Sequence, residues 1–136
     1  MIGFDTFDVG RSGLTLSKTW LDVIANNVAN VNTVHPPGQA PFRASYLVAQ
    51  EVVGPGPGAS GQGVRPVALV EDPSTPAMVY SPGDPLADAN GNVTRPVVDL
   101  AVELTNMIMS QRSFEANERT IETARDMYQA ALQIGK

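Results

Sequence analysis

Apolar residues near the N-terminus recur at alternating steps of three and four, the spacing of one face of an amphipathic helix. Gly10 and Ser17 fill the two small positions of this face. The pattern predicts a helix from about residue 4 to residue 31. Its apolar stripe is narrow and must be covered by the other end helix or by a neighbouring subunit. The stripe comprises Phe7, Leu14, Leu21, Ile24, Val28 and Val31.

A second, longer stripe closes the chain with a similar rhythm and one three-residue slip near Asn117. Asp99 is suited to cap the helix N-terminus, and neither Pro nor Gly interrupts the segment from there to Ile134. A helix of this length spans about 50 Å. The stripe comprises Leu100, Leu104, Met107, Gln111, Phe114, Ile121, Ala124, Tyr128 and Ala131.

The centre of the chain is rich in Pro and Gly and contains short runs of β-branched and aromatic residues. Strands are predicted at Arg43 to Val53, Val64 to Val70 and Ala77 to Tyr80, and Asn90-Gly91 predicts a tight turn. Three zones follow: an N-terminal helix with an Asn-rich end (1–33), a central β and loop region (34–96) with a flexible Gly/Pro segment near 54–63, and a C-terminal helix (97–136).

The predicted fold class is therefore α+β and mainly α. We expect the long N- and C-terminal helices to pack as an antiparallel coiled-coil pair, with a small, irregular β-rich central region. Because the centre can build only a small core of its own, stability should depend on helix pairing. Such a pattern is more typical of a subunit of an assembly than of an enzyme.

Charge and composition narrow the class of partner. The net charge of −5 disfavours nucleic acid and anionic membranes, since both reward a basic face. The absence of Cys excludes disulfides and thiolate zinc sites. No apolar run approaches the roughly 20 residues of a membrane span. The start of the chain, Met1 to Asp5, has no cationic segment, so no cleavable signal peptide is visible.

Candidate chemistry is sparse. His35 is the one histidine, so a histidine metal site or a catalytic triad has no second histidine to use. Oxygen side chains at Asp88, Asn90, Asn92, Thr94 and Asp99 have several spacings of a calcium loop, but the glycine falls at Gly91 and Pro96 interrupts. A turn that leads into a helix cap explains the same residues. We predict no catalytic, cofactor or metal site and keep a small calcium-binding module as the alternative of a different class.

Amide side chains form a further candidate group on the two helices. They are Asn26, Asn27, Asn30, Gln111 and Asn117. One interpretation is a frayed helix end with solvated amides. The other is that buried amides fix the register between helices at some cost in stability, as polar residues do in coiled coils.

Three segments resemble one protein family. The run ANNVANVNT (Ala25 to Thr33) after an amphipathic helix resembles the N-terminal signature of the axial proteins of the bacterial flagellum, which are the rod, hook and hook-associated proteins. MSQRSFEANERTIETARDM (Met109 to Met127) resembles their C-terminal motif, with Gln111, Arg112, Phe114 and Asn117 at matching places. PGDPLADANGNVTRPVVDL (82–100) resembles the segment before the last helix of a proximal-rod subunit. The chain departs from the family at Val97, where Asn is usual, and in its short middle loop.

The resemblance implies a structural subunit and no enzyme. Such subunits are exported unfolded, without cleavage, by the flagellar type III secretion machinery, and they polymerise into the hollow rod that crosses the periplasm and passes torque to the hook. The implied partners are copies of the chain, other rod proteins, and the inner-membrane ring and export apparatus at the rod base, with no nucleic acid. Another rod-type axial protein is the nearest alternative.

Specific residues are expected to carry the assembly. Packing within and between subunits is assigned to Leu14, Leu21, Ile24, Val28, Leu104, Met107, Phe114 and Ile121. Helix register is assigned to Asn26, Asn27, Asn30, Gln111 and Asn117, for which the resemblance favours the functional interpretation.

Overall fold

The computed structural model describes residues 2–54 and 61–135, with side-chain environments from residue 6 onward. It contains two long helices and two small sheets, so the α+β, mainly helical class is confirmed. The elements in chain order are α1 (Ile2–Ala29), β1 (Ser45–Val53), β2 (Gly61–Glu71), β3 (Ala77–Tyr80), β4 (Asn92–Arg95) and α2 (Leu100–Ile134).

Helix α1 ends inside the Asn-rich run, as the sequence predicts. Asn30 Nδ2 donates to the Asn26 carbonyl oxygen at 2.9 Å, and the Thr33 N–H donates to the Asn30 carbonyl at 3.0 Å. These bonds replace helical ones with turn bonds, which is the usual competition from Asn side chains. Pro36 and Pro37 follow and prevent any continuation of the helix.

Helix α2 begins at the predicted cap. Asp99 Oδ1 accepts hydrogen bonds from the N–H groups of Ala101 at 2.9 Å and Val102 at 3.2 Å. The carboxylate thereby satisfies two of the amides that have no partner within the helix, and its charge suits the positive end of the helix dipole. The helix then runs 35 residues.

The strands form two separate two-stranded sheets. β1 pairs with β2, and β3 pairs antiparallel with β4 so that Ala77 is opposite Arg95 and Tyr80 is opposite Asn92. The sequence did not predict β4, which directly follows the predicted Asn90-Gly91 turn. Residues 55–60, inside the segment predicted to be flexible, lie outside the described residues.

The turn before β4 explains the Asn-Gly pair. Gly91 has φ of 76°, a conformation that L-residues rarely adopt. Its N–H donates to the Asp88 carbonyl at 2.9 Å and its carbonyl accepts from the Ser81 N–H at 2.7 Å. A Cβ at this position would lie 2.9 Å from Tyr80 Cε2, so both backbone and space require glycine.

The chain divides into two compact units, and each helix contributes residues to both. The first unit is Met1–Leu21, Leu47–Ala68 and Ile108–Lys136. The second is Asp22–Tyr46 and Leu69–Met107. In the second unit His35 and Thr94 exchange two backbone hydrogen bonds of 2.9 Å, which attach the segment after α1 to β4.

The buried apolar core is small. Among the described residues it consists of Ile24, Ala44 and Val93, all in the second unit. This agrees with the expectation that the Pro- and Gly-rich centre cannot build a large core.

Candidate assembly surface

In the first unit, α1 contacts α2 through glycines. A Cβ added at Gly10 would lie 2.6 Å from Ile121 Cγ1, and one added at Gly13 would lie 2.5 Å from Asn117 Oδ1. Real Cβ atoms are essentially never that close to another atom, so a larger residue at either glycine would require the α2 side chain to shift. Each glycine lowers helix stability by about 1 kcal/mol relative to Ala, and the close helix contact offsets this loss.

Serines continue the contact one turn further along α1. Ser17 Oγ donates to Ser113 Oγ at 3.0 Å, and Ser110 Oγ donates to the Ser17 carbonyl oxygen at 2.8 Å. Ser17 and Ser110 are buried, with 3% and 1% of their surface exposed. The helices are therefore joined here by small side chains that hydrogen-bond each other, rather than by large apolar ones.

In the second unit a buried amide joins three elements. Asn27 Nδ2 donates to Glu103 Oε1 at 3.0 Å and to the Ser45 carbonyl oxygen at 2.9 Å, while Asn27 Oδ1 accepts from the Ser45 N–H at 2.9 Å. Asn27 is 1% exposed and Glu103 is 3% exposed. The amide satisfies both backbone groups of Ser45 at the start of β1 and gives the buried carboxylate a donor, as burial of such groups requires.

The eight predicted packing residues differ in burial. Ile24 is fully buried, whereas Leu104 is 47% and Phe114 is 39% exposed. Those that are half-buried are Leu14, Leu21, Val28, Met107 and Ile121. Their assignment to contacts between subunits stays a prediction, and Leu104 and Phe114 have surface available for it.

The five predicted register residues also differ. Asn27 makes the buried contacts described above, and Asn117 lies against Gly13 while its Nδ2 donates to the Ser113 carbonyl at 2.8 Å. Asn30 bonds within the end of α1. Asn26 and Gln111 are exposed. Their role in setting register stays a prediction.

Sequence reasoning missed Ser110, Ser113 and Glu103 as contact residues. A search for large apolar positions passes over them, because Ser and Glu are ordinarily exposed. A signal was present nonetheless. Ser110, Ser113, Asn117 and Ile121 follow one another at steps of three and four, the spacing of a single helix face, and the first three are polar.

Much of the large apolar surface of α2 remains exposed in the single chain. The residues concerned are Leu100, Val102, Leu104, Ile108, Met109, Phe114, Met127, Tyr128, Leu132 and Ile134. Large apolar side chains that stay exposed in such number indicate partners that cover them.

A groove lies beside the serine contact in the first unit. It has a volume of about 590 Å³ and its apolar lining comes from Leu21 and Phe114, with Ser17, Lys18, Ser110, Gln111 and Glu115 completing it. The groove is open and shallow, so its shape suits a side chain of another protein segment better than an enclosed small molecule.

The two carboxylates among the candidate calcium residues accept hydrogen bonds from backbone N–H groups. Asp88 Oδ1 accepts from the N–H groups of Asn90 at 2.9 Å and Asn92 at 2.8 Å, and Asp99 caps α2. A turn and a helix cap therefore account for both carboxylates. Within residues 2–54 and 61–135 no three His, Cys, Asp or Glu side chains are grouped so that they could hold a metal ion.

One carboxylate in the second unit has a perturbed pKa. Hydrogen bonds from Ser74, including its backbone N–H at 2.7 Å from Oδ1, and from the Tyr46 hydroxyl at 3.0 Å from Oδ2 hold the pKa of Asp72 below its usual range. Desolvation and the hydrogen bond to Asp72 raise the pKa of Tyr46. Asp72 is partly exposed, and these bonds stabilise the turn that follows β2.

No helix in the described part of the chain is long and apolar enough to cross a membrane. In the first unit the two helices are joined by small residues, and large apolar residues of α2 stay exposed. These features are typical of a component that assembles with other chains.

Comparison with known proteins identifies which one. Residues 7–35 match the family described as flagella basal body rod protein, and residues 89–134 match the family described as flagellar basal body rod FlgEFG protein C-terminal. These two regions cover most of α1 and α2. The class of protein is therefore a flagellar basal-body rod protein.

Individual relatives are more specific. The chain is 38% identical over 130 residues to flagellar basal-body rod protein FlgC of Escherichia coli O6:H1, covering 96% of each chain. It is 34% identical over 146 residues to FlgC of Borreliella burgdorferi, covering 96% of each, and 33% identical over 150 residues to FlgC of Bacillus subtilis, covering 100% of each. The chain belongs to the FlgC family, whose members are structural rod proteins and not enzymes.

Proposed function

We propose that this chain polymerises, with copies of itself and with other rod proteins, into the hollow proximal rod that transmits torque from the motor to the hook and encloses part of the export channel. Its place is the basal body, where the rod crosses the periplasm. The inner-membrane ring and the export apparatus are its neighbours at the rod base, and the flagellar export machinery delivers it without a cleaved signal peptide.

The observation that carries this proposal is how the apolar side chains are distributed. The contact within the chain uses Gly10, Gly13 and Ser17, whereas large residues of α2 such as Leu104 and Phe114 stay exposed. Burial of apolar surface stabilises by roughly 25 cal/mol per Å², so a helix that exposes this much gains most from neighbouring subunits. A protein that is stable as a monomer would bury these large apolar residues in its core.

The helices are proposed to form an antiparallel coiled-coil pair. In the first unit the contacts supporting this are Gly10 with Ile121, Gly13 with Asn117 and Ser17 with Ser113. Residue numbers rise along α1 while they fall along α2, as an antiparallel pair requires. The spacing of three and four residues between contacts is that of coiled coils.

This pairing assigns a different structural role in the rod to each segment of the chain. Residues 1–33 and 97–136 would form the inner helical layers of the rod, and residues 34–96 would form the β and loop region facing outward. Ile24 and Ile121 would pack within the subunit, and Leu104 and Phe114 against neighbours. Leu14, Leu21, Val28 and Met107 would complete the packing.

Amides would fix the register of the helices. Asn27 is the strongest member, because it holds Ser45 and Glu103 at once. Asn117 would act at Gly13, and Asn26, Asn30 and Gln111 at the edges of the helix pair. A polar group that pairs only in one register costs stability but excludes shifted packings.

Electron cryotomography of basal bodies tests the function. A strain lacking this chain should show inner-membrane rings without a complete rod or hook, and a plasmid copy should restore both. Normal rods in the deletion strain, with no second copy in the genome, would refute the proposal.

A pair of variants tests the packing assignment separately. Leu104→Glu should block rod completion, while Thr105→Glu, at the adjacent exposed position of α2, should complement normally. Both side chains are exposed in the single chain, Leu104 to 47%. Complementation by both would refute the role of Leu104 without touching the rod assignment.

A further inference from the structure

Helix α2 carries a second uncharged face beside the one that contacts α1. Its residues recur at steps of three, four and seven, the rhythm of a helix that packs against a helix. All are exposed, Met109 to 54% and Met127 to 68%. We call this face the outer stripe, and it consists of Met109, Ala116, Thr120, Thr123, Met127 and Ile134.

The outer stripe and the groove lie on opposite sides of the line where α2 contacts α1. Ser110 and Asn117 face α1, and each is preceded by a stripe residue, Met109 or Ala116. Gln111 and Phe114 lie on the other side and line the groove. The stripe side has its own depression of about 320 Å³, lined in part by Thr123 and Met127.

The charges bordering these two surfaces have opposite sign. Arg112 and Arg119 are three or four residues from members of the outer stripe, and Arg119 also lines the stripe-side depression. Glu115 lines the groove, and Glu118 and Glu122 follow it at steps of three and four along the same side of α2. The stripe thus has a basic border, and the groove has a mainly acidic one that also includes Lys18 of α1.

We propose that the outer stripe of one copy packs into the groove of a second copy, with Arg112 and Arg119 of the first against Glu115, Glu118 and Glu122 of the second. The inference rests on the proposed function and specifies its contact between copies. A second copy is the occupant because one chain carries both halves, each with apolar residues and with α2 charges that are basic beside the stripe and acidic beside the groove. Two different surfaces make a heterologous contact, which repeats from copy to copy into a ring or an open helix.

Charge reversal tests the contact on the purified full-length chain by sedimentation velocity over a range of concentrations. Glu115→Arg puts like charges at the junction, and so does Arg119→Glu. Each variant alone should associate about tenfold more weakly than the wild type, since exposed pairs contribute modestly and reversal acts twice. The difference should shrink in high salt.

An equimolar mixture of the two variants is the decisive sample. Every junction between alternating copies then pairs Arg with Glu, so association should return to the wild-type level. Glu115 and Arg119 are also four residues apart within one helix, but mixing cannot repair a pair inside either chain. Weak association in the mixture would overturn the proposal, as would unchanged association of the single variants.

Matched controls are available on the strands. Glu51→Arg on β1 and Arg65→Glu on β2 change the net charge by the same amounts as the test variants at exposed strand positions, and should leave association unchanged. Circular dichroism checks that each variant keeps its helix content. Equal effects from controls and test variants would indicate a net-charge effect and overturn the pairing.

Cross-linking tests the same contact without charge changes. The chain has no Cys, so Ala116→Cys on the stripe and Gln111→Cys at the groove each introduce a single thiol. A mixture should form the mixed disulfide at least about tenfold faster than either variant dimerises with itself, because the bridge requires Cα atoms within about 7 Å. Preferred Ala116→Cys self-dimers would indicate a symmetric contact and refute the proposal.

The rod function and the stripe-to-groove contact can be rejected independently of each other. Loss of the rod in the deletion strain combined with insensitivity to charge reversal would reject the stripe-to-groove contact and leave the rod function standing. Normal rods in the deletion strain would reject the function whatever the purified chain does.

Discussion

Replacement of Asn27 by Ala should be among the most destabilising single changes in this chain. The side chain is 1% exposed and makes three hydrogen bonds, one to Glu103 and two to the backbone of Ser45. Truncation leaves a part-buried N–H, a part-buried carbonyl and a buried carboxylate without this partner.

The expected magnitude follows from those three bonds. A bond between neutral groups contributes about 1 kcal/mol and a bond to a charged group about 1.5–3 kcal/mol. Together they predict a loss of about 3–5 kcal/mol, a large part of the 5–15 kcal/mol typical of a domain. For a chain of this size the melting temperature should fall by about 10–20 °C.

Urea unfolding followed by circular dichroism at 222 nm measures the change. Asn26→Ala is the matched control, because the neighbouring amide is exposed and its side chain bonds only to Asn30 among its described partners. It should alter stability by no more than about 0.5 kcal/mol. Equal stabilities of the two variants would refute the idea that the Asn27 network holds the second unit together.

Three further predictions concern other parts of the molecule. Gly63→Ala should destabilise by about 1–3 kcal/mol, because φ is 108° and the new Cβ would collide with Ser12 Oγ, whereas Gly61→Ala, with nothing within 4 Å, should be nearly neutral in the same urea titration. NMR titration should find the pKa of Asp72 below that of a model peptide. Because the folded pKa is lowered, the contribution of Asp72 to stability is present above the unfolded pKa of about 3.9 and is lost as pH falls through the folded pKa. Asp72→Asn should remove that pH dependence. Phe114→Ala should weaken assembly by about 3 kcal/mol if a neighbour buries the ring fully. It should shift the melting temperature of the monomer far less, because 39% of the residue is already exposed. A larger loss of monomer stability than of association measured by sedimentation would contradict an intersubunit role.

Much of the helical structure could be predicted from local sequence. Asp99 caps α2 as expected, and the Asn-rich run ends α1 at Ala29 as expected. Strand β3 has the predicted bounds, and β1 begins two residues later than predicted. These features depend on short-range backbone chemistry, in which a carboxylate bonds an amide two or three residues away and a proline lacks a donor.

The helix contact itself was only partly predictable. Apolar periodicity correctly included Gly10 and Ser17 in the contacting face of α1, but it favoured Phe114 over Ser110 on α2. Strand β4 was missed because a four-residue strand containing Asn and Arg has little β propensity of its own and forms through pairing with β3.

The amino-acid sequence by itself determined that this protein has two long helices with a small β region between them along the chain, where each helix begins and ends to within a few residues, and which family it resembles. Only the tertiary structure decided that glycines and serines occupy the contact, that Asn27 and Glu103 are buried together, and that large apolar residues of α2 remain exposed. The physical reason is that helix limits are set by neighbours a few residues away. Burial instead depends on which distant segment covers a face, and a small polar side chain can lie inside once its hydrogen bonds are satisfied there.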